Sequence, residues 1–282
     1  MDRIERKVAI IGAGPAGLAC ARQLDAIGFD YVVVDQGRLG GALRIDYLYK
    51  DSFDEWRSSF HMAEALSRGV SPYLNAQAKD IRRIDGQWNI RTERGLVVSD
   101  YLVLATGLIS RTGNYAETER VLIGPSKKAF MYPFKGRRVA IMGGGDNAFE
   151  HASIAMDHRA SRVTVFARAI CAQDEIVKTA ISNGVEVVIS KQRLFERGLY
   201  VCISGEDFDV GLVMYGFEAQ LPPVAPFPFV QDVKSKRVLE SLSQAERIVV
   251  AVDLLHGNKL TIESSVKSGE AAANRIAWME GR

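Results

Sequence analysis

Twice along this chain an unbroken apolar run enters a glycine-rich turn and then a helix-like alternation. Residues 8–11, "VAII", are apolar without interruption, the pattern of a strand buried on both faces. Gly12-x-Gly14-x-x-Gly17 follows, a helix opens near Pro15 and Ala16, and a second apolar strand, "YVVVD", ends in Asp35. The order returns at "RRVAIM", Gly143-x-Gly145-x-x-Ala148, the helix "NAFEHASIAM" and the strand "RVTVF". Between the two, Trp56, Phe60, Ala63 and Leu66 fall at helical spacing as a core-facing stripe. A hairpin with its turn at Glu93-Arg94-Gly95 leads into an apolar strand that ends in Ala105-Thr106-Gly107. Residues 198–218 read as a compact hairpin-like stretch ending in Tyr215-Gly216, and the four prolines of residues 220–229 as a stiff return linker, the alternative being an exposed apolar segment that covers a substrate pocket or meets a partner. The strand "RIVVAVD", ending in Asp253, and the helix "TIESSVKSGEAAANRIAWME" close the pattern.

The glycines explain the turns. Missing side chains permit a tight turn, let a backbone approach a pyrophosphate, and let helix pack closely on strand. Helix amides near Pro15 and Ala16 favour negative charge. Asp35, about 20 residues past the turn, is placed to accept hydrogen bonds from an adenosine ribose. Strands, helix and acid together point to dinucleotide binding. Cys20, one turn into the first helix, reads as a small core thiol.

Composition narrows the class. The 282 residues suit two domains, and 47% hydrophobic with 25% charged residues is an ordinary globular balance. Lys plus Arg (36) nearly match Asp plus Glu (34), so no nucleic-acid partner is expected. No apolar run approaches the ~20 residues of a membrane span. The start passes from charge directly into a strand, so no secretory leader is expected. Three scattered cysteines, Cys20, Cys171 and Cys202, suggest neither a disulfide framework nor a metal site, and a reducing cytoplasm is the expected location.

The ordered motifs GAGPAG, strand-terminal acid, Gly40-Gly41-x-Leu43, Ala-Thr-Gly, second finger, and final strand with Asp before a small-residue helix resemble the low-molecular-weight thioredoxin reductases. These are two-dinucleotide-binding flavoproteins, and the thioredoxin reductase-like ferredoxin–NADP reductases share the pattern. The resemblance implies an α/β fold of two Rossmann-like domains, the second inserted in the first. A FAD-binding domain would take residues 1–113 and 246–282, and an NAD(P)-binding-like domain residues 114–245. FAD would lie along Gly12, Gly14, Pro15, Ala16, Gly17, Asp35 and Gln36. Its ring would be near Gly40, Gly41 and Leu43, backed by Thr106 and Gly107. Asp253 would approach the ribityl–pyrophosphate region, and amides near Thr261 and Ile262 the flavin's pyrimidine edge. The chain departs from the family in having Val252 before that aspartate and Lys259-Leu260-Thr261 before the last helix. His256, in the same loop, reads as an exposed histidine or a flavin-side proton donor.

For the second finger the resemblance implies a nicotinamide site at Gly143, Gly145, Asn147 and Ala148. Ala167 offers no carboxylate for a free ribose hydroxyl, while Arg168 can pair with a 2′-phosphate. Three readings stay open: an NADPH site, an NADH site, or a relic that binds neither. Where the family carries Cys-x-x-Cys and an acid, this chain has Ser126-Lys127-Lys128-Ala129 and Phe130, which cannot carry disulfide exchange. A thioredoxin reductase is therefore excluded. Electrons would leave for a small-molecule acceptor or for an acidic redox protein such as a ferredoxin or flavodoxin. Such a protein would dock on Lys127, Lys128, Lys135, Arg137 and Arg138 among Phe130, Tyr132 and Phe134; the alternative is a solvated linker whose aromatics tuck into the core. A homodimer is expected. Two other classes remain, a flavin monooxygenase or oxidase, and a flavoprotein with a dead nicotinamide site reduced by its partner.

Overall fold

The computed structural model describes residues 2–44, 59–219, 222, 224–225, 247–251 and 262–281. In chain order it builds β1 (Asp2–Ile11), α1 (Pro15–Ala26), β2 (Tyr31–Asp35), α2 (Ser59–Ser67), β3 (Tyr73–Asn75), β4 (Ala78–Ile84), β5 (Gln87–Thr92) and β6 (Gly95–Leu104). Then come β7 (Leu108–Ser110), β8 (Val121–Ile123), α3 (Lys127–Phe130), β9 (Arg138–Met142), α4 (Asp146–Asp157), β10 (Arg162–Ala167), α5 (Asp174–Ser182) and β11 (Glu186–Ile189). The rest are β12 (Leu194–Arg197), β13 (Tyr200–Ile203), β14 (Glu206–Phe208), β15 (Val210–Val213), β16 (Phe217–Ala219), β17 (Val224–Ala225), β18 (Ile248–Val250) and α6 (Ile262–Met279). They form two compact units, Met1–Leu108 with Ala219–Arg282, and Ile109–Glu218.

In the first unit β1 lies between β2 and β6, parallel to both. Val8, Ile10, Val33 and Val103 join one core with Leu18, Leu24 and Ile276. Ala9, Ile11, Val34, Leu102 and Leu104 join another with Trp88 and Ile90. Burial on both faces is why residues 8–11 show no alternation. The strand begins earlier than its apolar run, because residues 2–6 pair with residues 95–99 of β6, and backbone pairing needs no apolar side chain. β5 takes the other edge of β6's first half and β18 that of its second half. In α2, Ala63 and Leu66 are buried, but Phe60 is 36% exposed, so the expected stripe is narrower by that residue; Trp56 lies outside the described residues.

The second unit repeats the plan. Its five-stranded sheet runs β11-β10-β9-β15-β8, parallel throughout. α4 and α5 contribute Ala148, Phe149, Ala152 and Ala180 to the core on one face, and β13–β14 contribute Val201, Ile203 and Phe208 on the other. The stretch read as one hairpin divides: β13 and β14 are antiparallel, while β15 joins the parallel sheet beside β9. Its four residues, all buried, need two covered faces, which an isolated hairpin lacks. The chain's two passages between the units, β7 and β16, pair as a two-stranded ribbon.

Candidate dinucleotide sites

In the first unit, residues 12–14 are the point on which four other segments close. Gly12 N–H donates to Val34 O at 2.9 Å, and Gly40 N–H donates to Ala13 O at 2.8 Å. Ala13 N–H donates to Asp35 Oδ2 at 2.7 Å, while Oδ1 of the same carboxylate accepts from Gly37 N at 2.6 Å. Gly12 has φ +109°, and a Cβ there would stand 2.2 Å from the Ala105 carbonyl oxygen. One at Gly17 would stand 1.9 Å from Gly12 O, so helix and turn touch backbone to backbone. Gly14 is different: nothing lies within 4 Å of its missing Cβ. It is the N-cap of α1 (φ −76°, ψ −175°), with no side-chain cap. The open side of the turn therefore presents uncapped helix amides, the donor set a pyrophosphate needs.

The flanking residues fall into two groups. Gly40 and Gly41 stand against this turn, a Cβ at Gly41 coming within 2.9 Å of Gly14 Cα. Thr106 is half-buried and Gly107 exposed at the end of β6, next to Ala105. Pro15 and Ala16 open the helix, and Gln36 is exposed beyond Asp35. Leu43 is 1% exposed and belongs to the core beneath the turn. Ile262 starts α6, whose Gly269 crosses α1 so closely that a Cβ would sit 2.0 Å from Ala16 O. Asp253, His256 and Thr261 lie outside the described residues. Tyr73 carried no motif, yet its hydroxyl donates to Gly37 O, bracing the loop that carries Asp35. Only the pairing of β3 beside β2 brings it there. Cys20 is fully buried, its thiol pushed up to about 12 by desolvation, so it is inert packing.

The second unit makes the same turn. Gly143 has φ +153°, and a Cβ there would stand 2.2 Å from Met214 O, as Gly12 does with Ala105. Gly145 caps α4 without a side-chain bond, and its missing Cβ meets only Cys171 Sγ, at 4.0 Å. Ala148 and Asn147 lie in the first turn of α4, Ala148 fully buried. At the end of β10, Ala167 takes the place Asp35 holds at the end of β2, and Arg168 is exposed beyond it. The charge of Arg168 acts on Tyr215, whose hydroxyl is pushed up to about 12, first by burial and then by Tyr115, with Arg168 opposing both.

Of residues 126–130, Ala129 is buried, while Lys127 and Lys128 are exposed. Ser126 Oγ caps α3 by accepting from Ala129 N at 3.2 Å, and Ala129 is fully buried. Of the aromatics nearby, Phe134 is 1% exposed and packs on Tyr132 and His158, with Phe130 also against His158. Lys128 pairs with Glu117, and Arg138 with Asp209. The aromatics thus serve the unit's own core, and Lys127, Lys135 and Arg137 are left to face outward. Among the described residues no group of three or more His, Cys, Asp or Glu side chains is placed to hold a metal ion, and no helix is long and apolar enough to cross a membrane.

The family model for pyridine nucleotide-disulphide oxidoreductases matches residues 6–194, both fingers included. The chain belongs to this family. Among curated members, the E. coli K12 glutamate synthase (NADPH) small chain is 28% identical over 87% of this chain. A ferredoxin–NADP reductase of Granulibacter bethesdensis is 28% identical over 67%. The matches span only 52% and 60% of those two relatives' lengths. Among solved oxidoreductases of this kind, T. acidophilum thioredoxin reductase superposes with a TM-score of 0.78 over 99% of both chains, at 18% identity. The bacillithiol disulfide reductase of Bacillus cereus gives 0.74 over 98% of this chain and 99% of its own, at 19% identity. The fold is thus thioredoxin reductase-like, an α/β architecture with two Rossmann-like halves.

Proposed function

We propose that this chain is a FAD-dependent oxidoreductase that oxidises NADPH, in preference to NADH, and delivers the electrons to an acceptor that is not a disulfide. The observation that carries the reading is the closed turn at residues 12–14, which leaves only Gly14 open toward uncapped helix amides. In this reading residues 1–113 and 246–282 hold FAD and residues 114–245 the nicotinamide nucleotide. Gly12, Gly14, Pro15, Ala16 and Gly17 hold the pyrophosphate. Asp35 and Gln36 face the ribose, Gly40, Gly41, Leu43, Thr106 and Gly107 surround the ring's place, and Asp253, Thr261 and Ile262 close the site. Asp35 keeps a lone pair on each oxygen beyond the bonds it accepts from Ala13 and Gly37, enough to receive ribose hydroxyls. FAD, when bound, supplies hydride acceptance and one-electron release. The protein needs no nucleophile of its own.

In the second unit Gly143, Gly145, Asn147 and Ala148 cradle the nicotinamide nucleotide's phosphates, and Arg168 faces its 2′-phosphate. Ala129 is the reason a disulfide acceptor is set aside, since its position carries no sulfur and has no access to solvent. The names of the curated relatives support an electron-transfer protein of the ferredoxin type as acceptor. Lys127, Lys135 and Arg137 would meet its acidic face, and the protein would work as a cytoplasmic homodimer. Purified protein is expected to be yellow and to release FAD on denaturation. Added without oxygen, NADPH should bleach it faster than NADH. A colourless protein that takes up no FAD overturns the reading, and a flavin that neither nucleotide bleaches overturns its nicotinamide half.

A further inference from the structure

We infer that Asp146 and Gln173 form a clamp that presets the Arg168 loop against the second finger, making them positioning residues for discrimination of NADPH from NADH. The inference rests on the nicotinamide reading above and goes beyond it to a device that no finger motif contains. Residues 168–173 leave β10 and fold back over the finger. Cys171 N–H and Ala172 N–H both donate to Gly144 O, at 2.8 and 3.0 Å. Gln173 reaches Asp146 twice, its backbone N–H to Oδ1 at 2.8 Å and its side-chain amide to Oδ2 at 3.0 Å. The loop lies so close that a Cβ at Gly144 would stand 2.0 Å from Ala169 O. The finger motif leaves position 144 free, so glycine there answers to the loop.

Two consequences follow for charge. Asp146 stands in the first turn of α4, where a carboxylate suits the helix's positive end but opposes a phosphate. With both oxygens held by Gln173, it is turned to the loop. Arg168, in contrast, is exposed and makes no hydrogen bond or ion pair with another described residue. Its backbone is fixed while its guanidinium stays available, so less freedom is lost when a 2′-phosphate binds. NADH has no such phosphate and gains nothing from the arrangement.

The test is calorimetric binding of NADP⁺ and NAD⁺ to the FAD-loaded protein. Gln173→Ala and Asp146→Ala should each weaken NADP⁺ by about tenfold and NAD⁺ by less than about twofold, with Asp146→Asn recovering part of the loss. In steady state KM for NADPH should rise while kcat holds. In an Arg168→Ala background, Gln173→Ala should add nothing, because the clamp acts through that residue. Equal loss for both nucleotides, additive losses in the double variant, or Gln173→Ala binding within about twofold of wild type overturns the clamp and leaves the nicotinamide reading standing. Cys171 gives an independent readout: it is the exposed thiol, Cys20 and Cys202 being buried. NADP⁺ should slow its alkylation by iodoacetamide. A wild-type protein that binds neither nucleotide and shows no protection overturns the reading and the clamp together.

Discussion

A methyl group added at Gly12 and one added at Gly14 have opposite consequences. Gly12→Ala forces a side chain into φ +109° and against the Ala105 carbonyl. It should cost at least about 1–3 kcal/mol of stability by urea unfolding. Gly14 has an ordinary φ of −76° and open space. Gly14→Ala should leave the apoprotein within about 1 kcal/mol of wild type yet weaken FAD by at least about tenfold. His151 adds a pH effect. Its ring is 3% exposed, with Nδ1 2.9 Å from Asn147 O and Nε2 without a hydrogen-bond partner among the described residues. Burial holds its pKa below the ordinary histidine value, the Asn147 carbonyl opposing. The unfolded chain therefore takes up a proton first, so stability should be full above about pH 6.5 and fall as pH drops through that value. His151→Leu should flatten that decline in urea midpoints. Glycines 12, 14, 17, 143 and 145 were legible because a spacing marks them. Gly144 was not, because its neighbour is a carbonyl from another loop, and neither was Tyr73, which only strand pairing brings to Asp35.

At the scale of elements, the end of α6 is tied to the sheet by charge. Lys7 Nζ lies 3.1 Å from both Asp100 and Glu280, and Tyr101 donates to Glu280 at 2.6 Å. The bond from Tyr101, then Lys7, holds the Glu280 carboxyl below its usual range, and Gln87 first, then Lys7, does the same for Asp100. The stabilisation is present above the unfolded carboxylate value near 4 and is lost as pH falls through the lower folded values. Glu280→Gln should weaken that acid dependence and speed hydrogen exchange in the last turn of α6. The burial of Ala129 in α3 gives a different expectation. A thiol placed by Ala129→Cys should resist Ellman's reagent until the protein unfolds, as is also expected of the buried Cys20; rapid labelling would show the segment to be open. Apolar runs made β1, β2, β6, β9, β10 and β18 legible, while short strands such as β3, β7, β8 and β16 are too brief to carry a pattern. β15 was misassigned because four apolar residues in a row do not say whether the partner strand is parallel or antiparallel.

Across the whole molecule, two copies of one plan lie in one chain, and the sequence showed this through the repeated finger. Where the units divide was harder to read. Gly107 adjoins the passage at Leu108, and Gly216 and Pro222-Pro223 flank the one at Ala219, yet such residues mark a break without saying at which position a unit ends; pairing of β7 with β16 sets the two passages side by side. Paired strands are about 5 Å apart, so a short glycine linker from Leu108 to Ala219 should close the first unit without the second. Such a protein is expected to keep FAD colour and lose NADPH bleaching. The crossing of α6 over α1 at Gly269 also fixes an order of events during synthesis. The second unit has all its residues once Glu218 has left the ribosome, whereas α1 waits for the last helix before its outer face is covered. A growing chain thus completes its inserted half first, and α1 keeps an uncovered face until α6 has emerged.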